Sequence, residues 1–133
     1  MLARILGWLR PRTLSLGARG ERAAARFLRR AGYKIIAHQY RDRRGEIDLI
    51  ATDGRRVVFV EVKTRRSAQQ EHPAEAVDLE KQRRLTRTAR AYMKQHGLLN
   101  TPSRFDIVAV TWPQNSSRPT IEHLPGAFDA TDD

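Results

Sequence analysis

The sequence predicts an α/β domain, a mixed sheet flanked by helices. Three observations carry this. Segments of helical and strand character follow one another as helix, three strands, helix, then one or two strands, the order of a layered α/β domain. The 133 residues fit one domain and leave little room for a second. Hydrophobic residues make up 40%, enough for a core.

Residues 1–16 read as an N-terminal segment, 17–124 as the domain and 125–133 as a poorly ordered tail. Leu2, Ile5, Leu6 and Leu9 share one helical face. Arg4 and Arg10 interrupt that run, so it is too short and too charged for a signal sequence or a membrane span. The first helix of the domain opens at Gly17, runs through Ala31 and is closed by Gly32. Tyr33 to Tyr40 reads as a strand, and Glu46 to Ala51 as a second. Asp53-Gly54 signals a hairpin turn into a third strand from Arg56 to Thr64. A polar loop, Ser67 to Pro73, leads to a helix from Ala74 to His96, ended by Gly97. Arg104 to Trp112 is a fourth strand, and Thr120 to Leu124 a short edge strand.

Lys and Arg number 25 against 15 Asp and Glu, a net charge of +10. Such a surface draws polyanions, nucleic acid first and an anionic membrane surface second. There is no cysteine, which excludes disulfides, thiolate nucleophiles and cysteine zinc sites. No GxxxxGK[ST] is present, which excludes P-loop nucleotide hydrolysis. The expected location is cytoplasmic.

The informative residues are charges in apolar patterns. On the third strand Val58, Val60 and Val62 share one face, and Val57, Phe59, Glu61 and Lys63 the other. Taken alone, Glu61 and Lys63 read as an exposed strand end with a cross-strand ion pair. On the second strand Ile47 and Leu49 share a face, and Glu46, Asp48 and Ile50 the other. The tight turn then brings Asp48 near Glu61. Adjacent carboxylates repel, which a divalent cation between them relieves; oxygen ligands suit Mg²⁺ or Mn²⁺. Glu46, at the strand start, reads as solvated.

Glu21 precedes Ala24, Ala25 and Leu28 on the apolar stripe of the first helix. It is either a first-turn carboxylate favoured by the helix dipole or a site residue. Arg19, Arg22, Arg26 and Arg29 form a basic ridge, either an ordinary solvated face or a phosphate track. On the long helix Lys81 falls in line with Val77, Leu85, Ala89 and Tyr92. It either snorkels or reaches the site to contact a phosphate. His38, His72, His96 and His123 lack metal-ligand spacing.

An Asp followed by Glu-x-Lys on the next strand resembles the PD-(D/E)xK nuclease core. The wider series is more specific: GARGE at 17–21, AGY at 31–33, RGEIDLI at 44–50, DG at 53–54, VFVEVKTR at 58–65 and RFDIVAV at 104–110. Together these resemble the YraN-type family of bacterial proteins, predicted endonucleases distantly similar to archaeal Holliday-junction resolvases. The resemblance implies a restriction-endonuclease-like αβββαβ core. It implies metal binding by Asp48 and Glu61, a catalytic Lys63, and Glu21 as the acidic helix residue of the resolvase-like branch. One departure is Tyr40, where the resemblance places an asparagine.

The expected activity is metal-dependent phosphodiester cleavage, on DNA rather than RNA, including structured or branched DNA. Asp48, Glu61 and Glu21 would hold Mg²⁺ or Mn²⁺, with Lys63 beside them, and Arg19, Arg22 and Lys81 would contact nucleic acid. Resolving a junction takes two symmetric cuts, which a homodimer would supply. Two other readings stand beside this one. One is a nucleic-acid-binding module that keeps the site's shape without cutting; the other is a membrane-surface or partner-docking protein using the basic helix and the N-terminal segment.

Overall fold

In the computed structural model, which describes residues 14–67 and 72–131, the first helix starts at a serine cap. The Ser15 hydroxyl accepts from the Ala18 N–H at 3.1 Å. Helix α1 spans Leu16–Arg30, and Gly32 follows it at φ +99°, a left-handed position that glycine adopts without strain. Strands β1 (Lys34–Asp42), β2 (Gly45–Thr52) and β3 (Val57–Arg66) follow as an antiparallel meander. The β2–β3 turn is held by the Asp53 carboxylate, which accepts the N–H groups of Arg55 and Arg56 at 2.9 Å each. Helix α2 (Leu79–Gln95) then crosses to β4 (Ser103–Trp112), which pairs parallel with β3, and β5 (Thr120–Phe128) returns antiparallel to β4. The sheet order is β1-β2-β3-β4-β5. This is the expected α/β architecture, compatible with an αβββαβ core.

Each helix covers one face. Ala24, Ala25 and Leu28 of α1 pack on Leu49, Ala51, Val58, Val60, Val108 and Val110. Leu85, Ala89, Tyr92 and Met93 of α2 pack on Ile47, Ile50, Val57, Phe59, Phe105 and Ile107. β3 and β4 are apolar on both faces because both faces are covered. Gly20 lets α1 sit close to β3: a Cβ there would lie 2.8 Å from Thr64 Cβ and overlap the Thr64 hydroxyl.

Three boundaries differ from expectation. The helix expected from Ala74 is broken at Asp78, whose carboxylate accepts the Lys81 N–H at 2.8 Å and starts α2 there. Residues Pro73–Ala76 form a separate short 3₁₀ turn. The edge strand runs on to Phe128, so residues 125–128 are strand; Phe128 stacks on Phe105 at 4.9 Å. The third difference, a change of face along β2, belongs to the site. The expected helix at Leu2–Leu9 lies outside the described residues. Among those described, no helix is long and apolar enough to cross a membrane.

Candidate active site

The β2–β3 ladder pairs Thr52 with Val57 and ends with Leu49 opposite Val60. Asp48, the next residue, reaches across the opening. Its Oδ2 accepts the Val62 N–H at 2.8 Å, standing in for the backbone carbonyl that an intact ladder would supply.

The opening coincides with a reversal of faces. Strict alternation places Ile47 with Leu49, but Ile47 packs on the α2 side and Leu49 on the α1 side. The same reversal occurs in β1, where Ala37 and Tyr40, three residues apart, both pack on the α2 side. Between them Gln39 takes φ +48°, a left-handed conformation that costs a non-glycine residue energy. The pairing steps from His38–Leu49 to Tyr40–Ile47 across Gln39 and Asp48. One twisted residue thus turns both strands, and Asp48 lies at the turning point. The Gln39 side chain donates from Nε2 to Glu21 Oε2 at 2.8 Å, linking α1 to this point. The φ of Gln39 has no signature in its residue type, which is why pattern reading misses it.

Glu61 lies on the α2 face, as expected from its phase with Phe59, and its side chain is 12% exposed. Lys81 reaches it from α2, Nζ to Oε1, at 2.6 Å. Asp48, Glu61, Lys81, Arg84 and Glu46 line a cleft of about 230 Å³. Burial pushes the Asp48 carboxyl up to about 7; the Glu61 charge adds to this, the Val62 N–H opposes it, and Glu21 contributes a smaller upward push. Glu21 therefore belongs to the electrostatics of the site. It is not a first-turn carboxylate, since α1 starts at Leu16 with no acid in its first turn.

Lys63 is partly buried two residues beyond Glu61 and is paired in register with Ala109. Its ammonium has no ion pair among the described residues. Lys81 reaches the site, and its partner there is Glu61. Glu46 is exposed and pairs with Arg41 at 3.4 Å. Arg19 stacks over the Trp112 ring at 4.6 Å, and Arg22 is exposed on the same side of α1.

Among the described residues no three His, Asp or Glu side chains converge closely enough to enclose a metal. Two do fit one. Asp48 and Glu61 are hard oxygen donors held against their mutual repulsion, and Mg²⁺ commonly takes one or two carboxylates and completes its shell with water and phosphate. Glu21, hydrogen-bonded by Gln39, would act on such an ion through its field.

A second acid lay outside the expected site residues. Asp106 on β4 is 0% exposed and accepts from Arg104 Nε and a second Arg104 nitrogen at 2.7 and 2.8 Å. His123 Nε2 meets it at 2.7 Å and the Gly126 N–H donates to it at 3.0 Å. Arg104 also donates to the Tyr33 hydroxyl at 2.7 Å. The one legible signal was a charge, RFDIVAV, in an otherwise apolar strand.

The model of uncharacterised protein family UPF0102 matches residues 20–110, which hold both the carboxylate pair and the Asp106 strand. The chain belongs to this family. It is 52% identical over 118 residues to a UPF0102 protein of Rhodopirellula baltica, covering 86% of this chain and 71% of that one. It is 50% identical over 115 residues to a UPF0102 protein of Symbiobacterium thermophilum, covering 86% of this chain and 97% of that one. With a UPF0102 protein of Geobacter sulfurreducens the identity is 45% over 114 residues, 86% of this chain and 88% of that one. The YraN-type family resemblance is thereby borne out, and the UPF0102 match spans α1 to β4.

Proposed function

We propose that this UPF0102 protein is a metal-dependent nuclease that hydrolyses phosphodiester bonds in DNA, structured or branched DNA included. The observation that carries this is the half-buried carboxylate pair, Asp48 and Glu61, set where β2 and β3 part, with Asp48 pushed up to about 7. A fold does not set two acids against each other in a cleft for stability, and among the described residues the one lysine lining this cleft, Lys81, pairs with Glu61 alone.

Asp48 and Glu61 would hold Mg²⁺ or Mn²⁺, with Glu21 strengthening the local negative field. The bound ion would supply Lewis acidity toward a phosphate oxygen and lower the pKa of water to near neutrality. Lys63, on the same face as Glu61, stabilises charge that develops on the phosphorus oxygens or orients the attacking water. Lys81 has two partners available, Glu61 without substrate and a substrate phosphate with it.

The test is incubation with Mg²⁺ or Mn²⁺ and a panel of duplex, nicked, flap, junction and single-stranded DNA. Cleavage of at least one substrate, lost by 10²-fold or more in Asp48→Ala and in Lys63→Ala, is the expected outcome. Equal activity in parent and variants would mean contamination and remove the site assignment.

One observation favours a second reading. The Lys81 ammonium already lies 2.6 Å from Glu61 and partly neutralises the pair. A site balanced in this way suits a nucleic-acid-binding module that does not cut. Tight DNA binding without cleavage of any substrate in the panel would decide for it.

A further inference from the structure

On the side of α1 opposite Glu21 lies a groove of about 690 Å³, walled by α1 and the β4–β5 hairpin. Arg19, Arg22, Arg26 and Arg30 line it from α1, and Arg118 lines it from the hairpin. Among the described residues, no acidic one lines it. Among the described residues the last four arginines have no ion pair, and all four are exposed. At 1.5 Å of rise per residue, Arg19 to Arg30 extends about 16 Å, several phosphates at a duplex strand's 3.4 Å axial spacing. Five unpaired or stacked cations on one concave strip concentrate positive potential there.

The groove's floor narrows the partner. Trp112 is 8% exposed and its ring is covered by Arg19, so no base can stack on it. Phe27 meets His123 edge to face at 6.1 Å, at the groove's inner wall. Single-strand binders combine cationic grooves with open aromatic platforms, and the described residues of the groove offer none. Membrane insertion needs projecting apolar side chains. Among the described residues the exposed large hydrophobics are Leu14, Ile36, Leu79 and Leu99, of which only Leu14 borders the groove.

We propose that this groove is a second DNA-contacting surface, separate from the carboxylate cleft, that grips the phosphate backbone of duplex DNA without reading sequence. Its arginines hold backbone phosphates on the far side of α1 from Glu21. Arg19 binds least directly, since its guanidinium is engaged with Trp112. The choice of DNA as the polyanion rests on the nuclease reading; the site's phosphate chemistry does not.

The experiment measures binding in EDTA, where no cutting occurs, by fluorescence anisotropy of a labelled mixed-sequence duplex. The parent, an Arg26→Ala/Arg30→Ala/Arg118→Ala variant and its Lys counterpart at the same positions are compared across salt. The alanine variant should bind at least tenfold more weakly, with a log–log salt slope reduced by about 2–3, given roughly 0.9 per phosphate contact. The lysine variant should stay within about threefold of the parent, since point charges suffice for phosphate. Duplexes of unrelated sequence should bind alike. An unchanged slope in the alanine variant, with its circular dichroism and melting intact, overturns the proposal. So does tighter binding to a single strand than to duplex, or binding to phosphatidylserine vesicles with none to DNA. If the parent binds through this groove yet cuts nothing, the nuclease reading fails and the groove stands.

Discussion

Two acids in one sheet, Asp48 and Asp106, meet opposite treatment. Asp106 is the more deeply buried, at 0% exposure, and is surrounded by donors. Burial pushes its carboxyl up, but His123, then Arg104 and the Gly126 N–H, outweigh that and hold it below the usual carboxylate range. Asp48 receives the Val62 N–H and faces Glu61, and it is pushed up to about 7. Burial alone does not decide what a carboxylate is for; the balance of partners does. A saturated acid braces the fold, and an undersatisfied one has capacity left for a cation or a proton.

The largest effect should come from removing the saturated acid. Asp106→Ala leaves Arg104 inside the structure without its anion, with Arg104 and His123 side chains only 19% and 14% exposed. A loss of about 3–5 kcal/mol is expected on that account, measured by urea denaturation at neutral pH. A loss under about 1 kcal/mol would place Asp106 in the same class as Asp48 and dissolve the contrast.

Asp48→Asn should act in the other direction. The amide oxygen can still accept the Val62 N–H, while the charge opposing Glu61 is gone. At pH 8 without metal the variant should be more stable than the parent by on the order of 1–3 kcal/mol. The sign follows from proton uptake. The folded parent keeps a proton on Asp48 up to about pH 7, whereas an unfolded aspartate releases it near 3.8. Stability therefore falls as pH rises between those values and is flat above. Asp48→Asn removes that slope. Asp106 has the reverse slope: its contribution is full above the ordinary carboxylate pKa and is lost only as acid protonates it, below about pH 4. Mg²⁺, if held by Asp48 and Glu61, should raise the parent's melting temperature more at pH 8 than at pH 5, because it competes with the proton.

The smallest effect concerns the lysine that moderates the pair. The Lys81 side chain is 39% exposed, so Lys81→Met should lower metal-free stability by only about 0.2–1 kcal/mol. The same change should tighten Mn²⁺ binding severalfold by titration calorimetry, since the ammonium no longer competes for Glu61. Weaker Mn²⁺ binding would instead make Lys81 a support of the metal site.

Much of the fold was legible. Gly32 and Gly97 close the helices where expected, the Asp53-Gly54 turn pairs β2 with β3, and the apolar runs of β3 and β4 form the strands expected of them. The break at Asp78 is not legible in the helical periodicity, because Val77 is buried either way and apolar pattern alone does not separate a capped helix from the turn before it. At the candidate site, the shared face of Phe59 and Glu61 followed from period two. The face of Ile47 did not, because the reversal comes from the backbone of Gln39 on the neighbouring strand.

By itself the sequence determined the element order, the hairpin that brings Asp48 toward Glu61, the family series from α1 to β4, and the excess of positive charge. These depend on local chemistry: turn residues, helix caps, alternation and composition. Only the tertiary structure decided which acids are satisfied. It closed His123 and Gly126 of β5 onto Asp106, beside Arg104 of its own strand. It turned Asp48 into the gap between β2 and β3, placed Lys81 against Glu61, and gathered the arginines of α1 and the β4–β5 hairpin along one groove. A charge's energy depends on every neighbour within a few ångströms, and those neighbours are chosen by packing, not by adjacency in the chain.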